Sequence, residues 1–186
     1  MEFQTVDYWN EALWQKAEPI YHQAFKAHGA KKQNIIRRQF ERQRCFLHVA
    51  MVDEKVIAMA LTGKLESINA LLIDYLAVQE DIRNQGIGQK LIDYIKSWAT
   101  TEEKLDAIII EVESEINQTN LNRIHFWEKS GFQLTDYIHY YIWVPEPYRA
   151  MYFKINPAVK LPKDGKRLFN YITQFHRAAY KGNRGR

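Results

Sequence analysis

The stretch VQEDIRNQGIGQKLIDYI, residues 78–95, decides the fold, because the hydrophobic period changes inside it. Up to Val78 the chain runs NALLIDYLAV (69–78), a near-continuous apolar run of the kind a strand shows when both its faces are buried. From Gln85 the period becomes helical. Ile87, Leu91, Ile92, Ile95 and Trp98 make one stripe, and Gln89, Lys90, Asp93 and Lys96 lie largely outside it. Between the two stand Arg83-Asn84-Gln85-Gly86-Ile87-Gly88. Glycines at such a junction permit backbone angles that a Cβ forbids and let main-chain N–H groups come close to a ligand. The first N–H groups of a helix lack internal partners and the dipole is positive there, so an anion fits, and converging N–H groups suit a pyrophosphate. The same glycines also serve a tight turn and close packing, and spacing alone leaves both readings open.

Outward from this junction the elements follow one another at short intervals. DAIIIEVE (106–113) reads as the next strand, and NLNRIHFWEKSG (120–131) as a helix with Asn120 at its N-cap and Gly131 at its end. FQLTDYIHYYIW (132–143) and RAMYFKI (149–155) read as strands around the turn Pro145-Glu146-Pro147. Lys166 to Tyr180 reads as an amphipathic helix on Leu168, Ile172, Phe175 and Ala179. Upstream, CFLHVAMV (45–52) and VIAMALTG (56–63) form a hairpin across Asp53-Glu54-Lys55. NIIRRQFERQ (34–43) is a helix with Ile36 and Phe40 on one face. EALWQKAEPIYHQAFKAHG (11–29) is helical, with Pro19 expected to begin a second piece and Gly29 to end it. The fold class is α/β (α+β): a mixed central sheet with helices on both faces, a right-handed parallel crossover and a C-terminal helix. Residues 1–155 read as the domain, and 156–186 as a basic helical extension packed on it.

Composition narrows the class. The 186 residues suffice for one sizeable core. No run approaches 18 apolar residues and the first ten residues hold no apolar segment, so neither a membrane span nor a signal peptide is expected, and the setting reads as cytoplasmic. The sequon Asn117-Gln118-Thr119 is then a chance match. Cys45 is the single cysteine, read as a small core residue. No two of the six histidines stand i, i+4, so no metal is expected. Residues 149–186 carry ten Lys/Arg against Asp164 alone, giving +9, and residues 1–148 then carry −5. Packing of this tail on the acidic body would neutralise both; the other use of its charge is an external anion. A dinucleotide fingerprint would need a third glycine at Leu91, and the Walker loop and the Gly-x-Ser-x-Gly elbow are both absent.

LAVQEDIRNQGIGQKLI (76–92) resembles motif A of the GNAT superfamily of N-acetyltransferases, whose signature Gln/Arg-x-x-Gly-x-Gly/Ala is filled by Arg83, Gly86 and Gly88. RIHFWEKSGFQL (123–134) resembles its motif B, and the element order agrees over about 150 residues. The resemblance implies an acetyl-CoA-dependent N-acetyltransferase with the acyl-CoA N-acyltransferase fold, using acetyl-CoA as co-substrate and no metal. It places acetyl-CoA in a V between the strand ending at Val78 and the strand Ala107–Glu113. Main-chain N–H groups of Asn84, Gln85, Gly86, Ile87, Gly88 and Gln89 would hold the pyrophosphate, with Arg83 beside it. Leu76, Ala77 and Val78 would pair with the pantetheine, and the Val78 N–H would face the thioester carbonyl.

Transfer to an amine also needs that amine neutral, and a carboxylate can take its proton. Asp74 is the first candidate base, since strand alternation puts it on one face with Leu76 and Val78. Glu113, on one face with Glu111 near its strand's end, is the second. Where motif B commonly carries a tyrosine as acid for the thiolate, this chain has Trp127, which has no proton to give near neutral pH. Tyr137, Tyr140 and Tyr141 are possible substitutes. Two further readings stay open: a CoA-binding regulatory or interaction protein without catalysis, motivated by Trp127, and a nucleic-acid module using the basic tail, which the docked amphipathic helix disfavours. The acceptor is a small-molecule or peptide amine, and the chain is expected to act as a monomer or homodimer.

Overall fold

In the computed structural model, which describes residues 1–25, 30–162 and 164–181, the strands are Glu2–Val6 (β1), Cys45–Val52 (β2), Lys55–Leu65 (β3), Ala70–Val78 (β4), Ala107–Glu113 (β5), Gln133–Leu134 (β6), His139–Tyr140 (β7) and Pro147–Lys154 (β8). The helices are Glu11–Ala24 (α1), Gln33–Glu41 (α2), Ile87–Thr101 (α3), Gln118–Lys129 (α4) and Gly165–Tyr180 (α5). The strands form one sheet in the order β1–β2–β3–β4–β5–β8–β6, with β7 also paired to β8. All pairs are antiparallel except β4 with β5, whose parallel register runs from Ala70↔Ala107 to Ile73↔Ile110. It stops there, although both strands continue.

Each face of the sheet buries a helical layer. Leu91, Ile92 and Ile95 of α3 pack with Leu71, Ile73, Ile108 and Ile110, and Ile124, Phe126 and Trp127 of α4 border that cluster. On the other face, Leu13, Trp14, Ala17 and Ile20 of α1 and Ile36 and Phe40 of α2 cover Leu47, Val49, Met59 and Leu61. Beside them α5 sets Leu168, Phe169, Ile172 and Phe175 against Ala70, Leu72, Ala107 and Ile109. A Cβ built on Gly63 would stand 2.1 Å from Cε2 of Phe175, so the absence of a side chain on β3 is what lets α5 lie down. At the far end of α5, Arg42 donates to the carbonyls of Ala178 (2.9 Å) and Lys181 (2.7 Å). No described helix is long and apolar enough to cross a membrane.

Several expectations are corrected. α1 runs unbroken through Pro19. Pro19 is exposed, so the Gln15 carbonyl that loses its helical donor faces water. Gly29 lies outside the described residues. The N-cap of α4 is Asn117, whose Oδ1 accepts from the Asn120 N–H at 2.9 Å, while Asn120 sits inside the helix with its Nδ2 on the Glu115 carbonyl. The segment 132–143 is two short strands. Between the pairs Leu134↔Met151 and His139↔Tyr148 four residues oppose two, and residues 135 and 137 of the bulge receive Gly165 at the start of α5. β1 was not read from the sequence, because a five-residue edge strand with only Phe3 and Val6 apolar gives little period. α5 docks by its apolar stripe and leaves Lys166, Arg167 and Arg177 exposed; Arg149 pairs with Asp136.

His48 of β2 is fully buried and hydrogen-bonds Thr5 Oγ1 on β1 (2.7 Å) and Thr62 Oγ1 on β3 (2.8 Å), and Thr5 Oγ1 also bonds the Tyr94 hydroxyl on α3 (2.9 Å). Burial pushes the imidazole down to about 3. The unfolded chain takes up a proton below its ordinary value of 6.5 that the folded chain refuses, so this contribution to stability is lost as pH falls from 6.5 toward 3. Urea titrations between pH 7 and 4 should show a decline that is shallower in His48→Gln by up to ~1.4 kcal/mol per pH unit. Gly63→Ala should lower stability by about 1–3 kcal/mol through the clash with Phe175, measured as a shift of the urea midpoint at constant slope.

Candidate functional site

The site is built where β4 and β5 part. The register of β4 against β3 shifts between Tyr75↔Leu61 and Ile73↔Thr62, so Asp74 has no opposite residue and forms a bulge. The bulge resets alternation. Ile73 packs toward α3, and beyond the bulge Leu76 and Val78 border that same cluster, while Tyr75 and Ala77 face α1. Asp74 points to the α5 side, where it meets His176. The expected common face for Asp74, Leu76 and Val78 is therefore overturned: one unpaired residue turns the acid away from the two apolar residues. Glu111 shares the α5 face with Asp74.

The Gln79 N–H donates to the Ile57 carbonyl at 3.0 Å. In an antiparallel pair such bonds alternate, so the amides of Val78 and Leu76 point away from β3, into the gap beside β5. At the end of the strand Arg83 Nε donates to the Val78 carbonyl at 3.1 Å, fixing the turn that follows. Asn84 (φ 64°) and Gly86 (φ 78°) both take left-handed backbone. That conformation suits Gly86, whose missing side chain also leaves nothing within 4 Å of where a Cβ would be. Lys90 N–H returns to the Gly86 carbonyl, and no hydrogen bond engages the amides of residues 84–89 among the described residues. A Cβ on Gly88 would lie 3.2 Å from Phe126 and 3.5 Å from Val78, so that glycine closes the packing of α3 on α4 and β4. Gln89 reaches Ser130, whose hydroxyl donates to its Oε1 at 2.7 Å. The result is a polar track in two parts, strand amides in the gap and uncapped helix amides at the start of α3, brought together where Gly88 meets Val78.

The other wall is a buried ionic network. Lys31 has 2% of its side chain exposed and ion-pairs Asp74 Oδ2, with Asp74 6% exposed. The Lys31 N–H donates to the Tyr75 hydroxyl (3.1 Å), and the Tyr21 hydroxyl donates to the Lys31 carbonyl (3.1 Å), which holds the lysine backbone in place. The His176 ring stands between the strands, with Nδ1 3.9 Å from Asp74 Oδ1 and Nε2 2.7 Å from Glu111 Oε1. The Tyr141 hydroxyl donates to Glu111 Oε2 at 2.7 Å. Burial alone would raise the Glu111 carboxyl, but the charge and hydrogen bond of His176, the Tyr141 hydroxyl and the charge of Lys31 hold it below the ordinary carboxylate value. Burial and the Glu111 charge push the Tyr141 phenol up.

The sequence candidates thus separate into two groups. Leu76, Ala77, Val78 and residues 83–89 lie along the track, and Asp74 lies at its apex. Glu113 lies farther out, 3.4 Å from Arg123. Tyr140 is exposed and Tyr137 lies against Phe169. Trp127 packs edge-on to Phe126 and Phe132. Lys31 and His176 were not singled out from sequence. Lys31 carries no pattern that marks it, whereas His176 lies four residues after Ile172 on the apolar stripe of α5, where a polar residue is out of place.

Lys31→Met should leave the Asp74 carboxylate buried without its main partner and cost about 3–5 kcal/mol of unfolding free energy, with Lys31→Met/Asp74→Leu recovering most of it. Urea denaturation of the two variants measures both numbers.

Residues 7–132 match the Acetyltransferase (GNAT) family. The chain is 26% identical over 125 residues, 67% of its length and 74% of the relative's, to the peptidyl-lysine N-acetyltransferase YjaB of Salmonella typhimurium. It superposes with TM-score 0.69 on an aminoglycoside 6'-N-acetyltransferase complexed with coenzyme A, at 14% identity over 86% of this chain and all of the other. On the ribosomal-protein-S18-alanine N-acetyltransferase from Escherichia coli the TM-score is 0.64, at 19% identity over 84% and 96% of the two chains. With a family match spanning more than half its length, the chain belongs to the GNAT family of acetyltransferases and is an N-acetyltransferase.

Proposed function

We propose that the chain moves the acetyl group of acetyl-CoA directly to a primary amine of a small-molecule or peptide acceptor. The observation that carries the reading is two neighbouring sets of unpaired donors, Leu76 and Val78 in the gap and the amides of residues 84–89 at the start of α3. The fit is to an extended ligand ending in a pyrophosphate: a free strand edge for its amide-bearing arm, then converging N–H groups at a helix start for its anion. Arg83, held on the Val78 carbonyl, sets its charge beside that anion. When bound, acetyl-CoA supplies an acetyl group already activated as a thioester. The Val78 N–H is fixed where negative charge would build on the acyl oxygen, and one such donor is worth about 3 kcal/mol.

Proton removal from the acceptor falls to the ionisable groups about the gap, where Asp74, paired with Lys31, lies at the apex and Glu113, paired with Arg123, lies farther out. The acceptor would enter past residues 137–148, where Tyr140, Ile142 and Trp143 are exposed. The names of the relatives give a peptidyl lysine, an alanine of a ribosomal protein and an aminoglycoside as acceptors, all acetylated on nitrogen. Trp127, fixed between aromatic rings, gives no proton. A thiol with pKa near ~8.5 leaves as thiolate without one.

Calorimetry should show acetyl-CoA binding to the wild type, weakened at least about 30-fold (~2 kcal/mol) in Gly86→Glu. That substitution strains a left-handed position and puts a carboxylate where the pyrophosphate would lie. No binding by the wild type, or equal binding by both, overturns the proposal. Amine-dependent thiol release by the wild type separates an enzyme from a protein that only binds CoA.

A further inference from the structure

His176 stands between the first residues of β4 and β5 that follow their last shared pair, Ile73↔Ile110. It comes from α5, the helix that closes the other face of the sheet. Glu111 is held ionised and already accepts from Tyr141, and a carboxylate only accepts, so the nitrogen 2.7 Å from its Oε1 must carry the hydrogen. That fixes Nε2–H whether the ring is charged or neutral, so the only proton the ring can give up and take back is the one on Nδ1. Nδ1 is 3.9 Å from Asp74 Oδ1, beyond hydrogen-bond reach, and Asp74 meets Lys31 through its other oxygen. A carboxylate that orients one ring nitrogen so that the other can accept a proton is the arrangement of a positioned general base.

The charges around the ring point the same way. The groups facing it are Lys31 beside α2, Asp74 on β4, Glu111 on β5 and Tyr141 beyond β7; Tyr180 of α5 acts on Asp74 and His139 of β7 on Glu111. Lys31 offsets one of the two carboxylates. With a neutral ring the cluster keeps one net negative charge, and a proton gained from an arriving ammonium brings it to zero.

We propose that His176, through Nδ1, takes the proton from the ammonium group of the acceptor, with Glu111 positioning the ring and Asp74 stabilising the imidazolium. This rests on the acetyl-transfer reading. The accounting closes as follows: R–NH3+ gives one proton to Nδ1, and the nitrogen lone pair forms the C–N bond as the C–S bond breaks. The electron pair of that bond leaves with sulfur, which collects the second nitrogen proton, and the imidazolium returns its proton to solvent. Asp74 thereby acts through His176 and not directly on the amine.

Two measurements test it. The first is the tautomer, read by nitrogen-15 NMR of histidine-labelled protein without ligand. The expected spectrum at pH 8 has His176 Nε2 protonated and Nδ1 bare, with Glu111→Gln shifting that ratio, which a packing role would not do. A ring protonated on both nitrogens through pH 8.5, or on Nδ1, overturns the assignment. The second compares wild type with His176→Gln, whose amide still reaches Glu111 and whose fold is checked by circular dichroism. Amine-dependent thiol release should fall about 100- to 1,000-fold in kcat, with the acid limb of the pH profile lost and acetyl-CoA binding kept. A wild type that binds acetyl-CoA beside a His176→Gln variant within threefold in kcat overturns this assignment alone. Absence of binding by the wild type overturns the acetyl-transfer reading and this assignment with it.

Discussion

Beyond Ile73 and Ile110 the two central strands stop sharing hydrogen bonds, and most of the molecule is arranged about that parting. A sheet cannot leave two edges open inside a core without giving their amides and carbonyls another use. Here Asp74, left unopposed by β3, twists β4 away from β5, and the opened edge of Leu76 and Val78 runs on into the uncapped start of α3. One face of the gap therefore offers donors without partners. Its other face is closed by ionisable side chains that burial forces to pair with one another.

The C-terminal helix belongs to this arrangement as much as the strands do. The family match ends at residue 132, yet β8, which flanks β5, and α5, which covers β4 and β5, follow it. Tyr141 and His176 come from this later part of the chain and complete the surroundings of Glu111. A helix that had only to cover apolar surface would want an apolar residue where His176 stands, next to Phe175. The imidazole there is tolerated because both of its nitrogens lie beside carboxylates.

Much of this was legible in the sequence because the constraints were local. The change from a buried strand to a 3.6-residue period, with Gly86 and Gly88 between, marks the junction without knowledge of any neighbour. The hairpin, the crossover and the last helix follow from period and punctuation alone. What escaped depends on partners distant in the chain. The face of Asp74 is decided by a bulge, which arises from how β3 pairs and not from anything in the β4 sequence. The role of Lys31 depends on a carboxylate 43 residues away. Pro19 reads as the start of a second helical piece because proline is tolerated in a first turn and not in an interior, but its exposed position gives the freed carbonyl water instead. Asn120 resembled a cap, but Asn117 takes that place and Asn120 is left to tie the helix back to Glu115.

The guanidinium of Arg42 has a consequence that reaches past its own hydrogen bonds. It holds the carbonyls of Ala178, in the last turn of α5, and of Lys181, its C-cap, where helices fray first and where a cation is favoured by the dipole. His176 is less than one turn upstream of Ala178. Unwinding from that end would carry the imidazole off Glu111 before any strand moved. The ring is therefore tied to the C-cap of α2, a helix that contributes no group to the gap: a latch on the outer side of α5 holds the end that carries the imidazole.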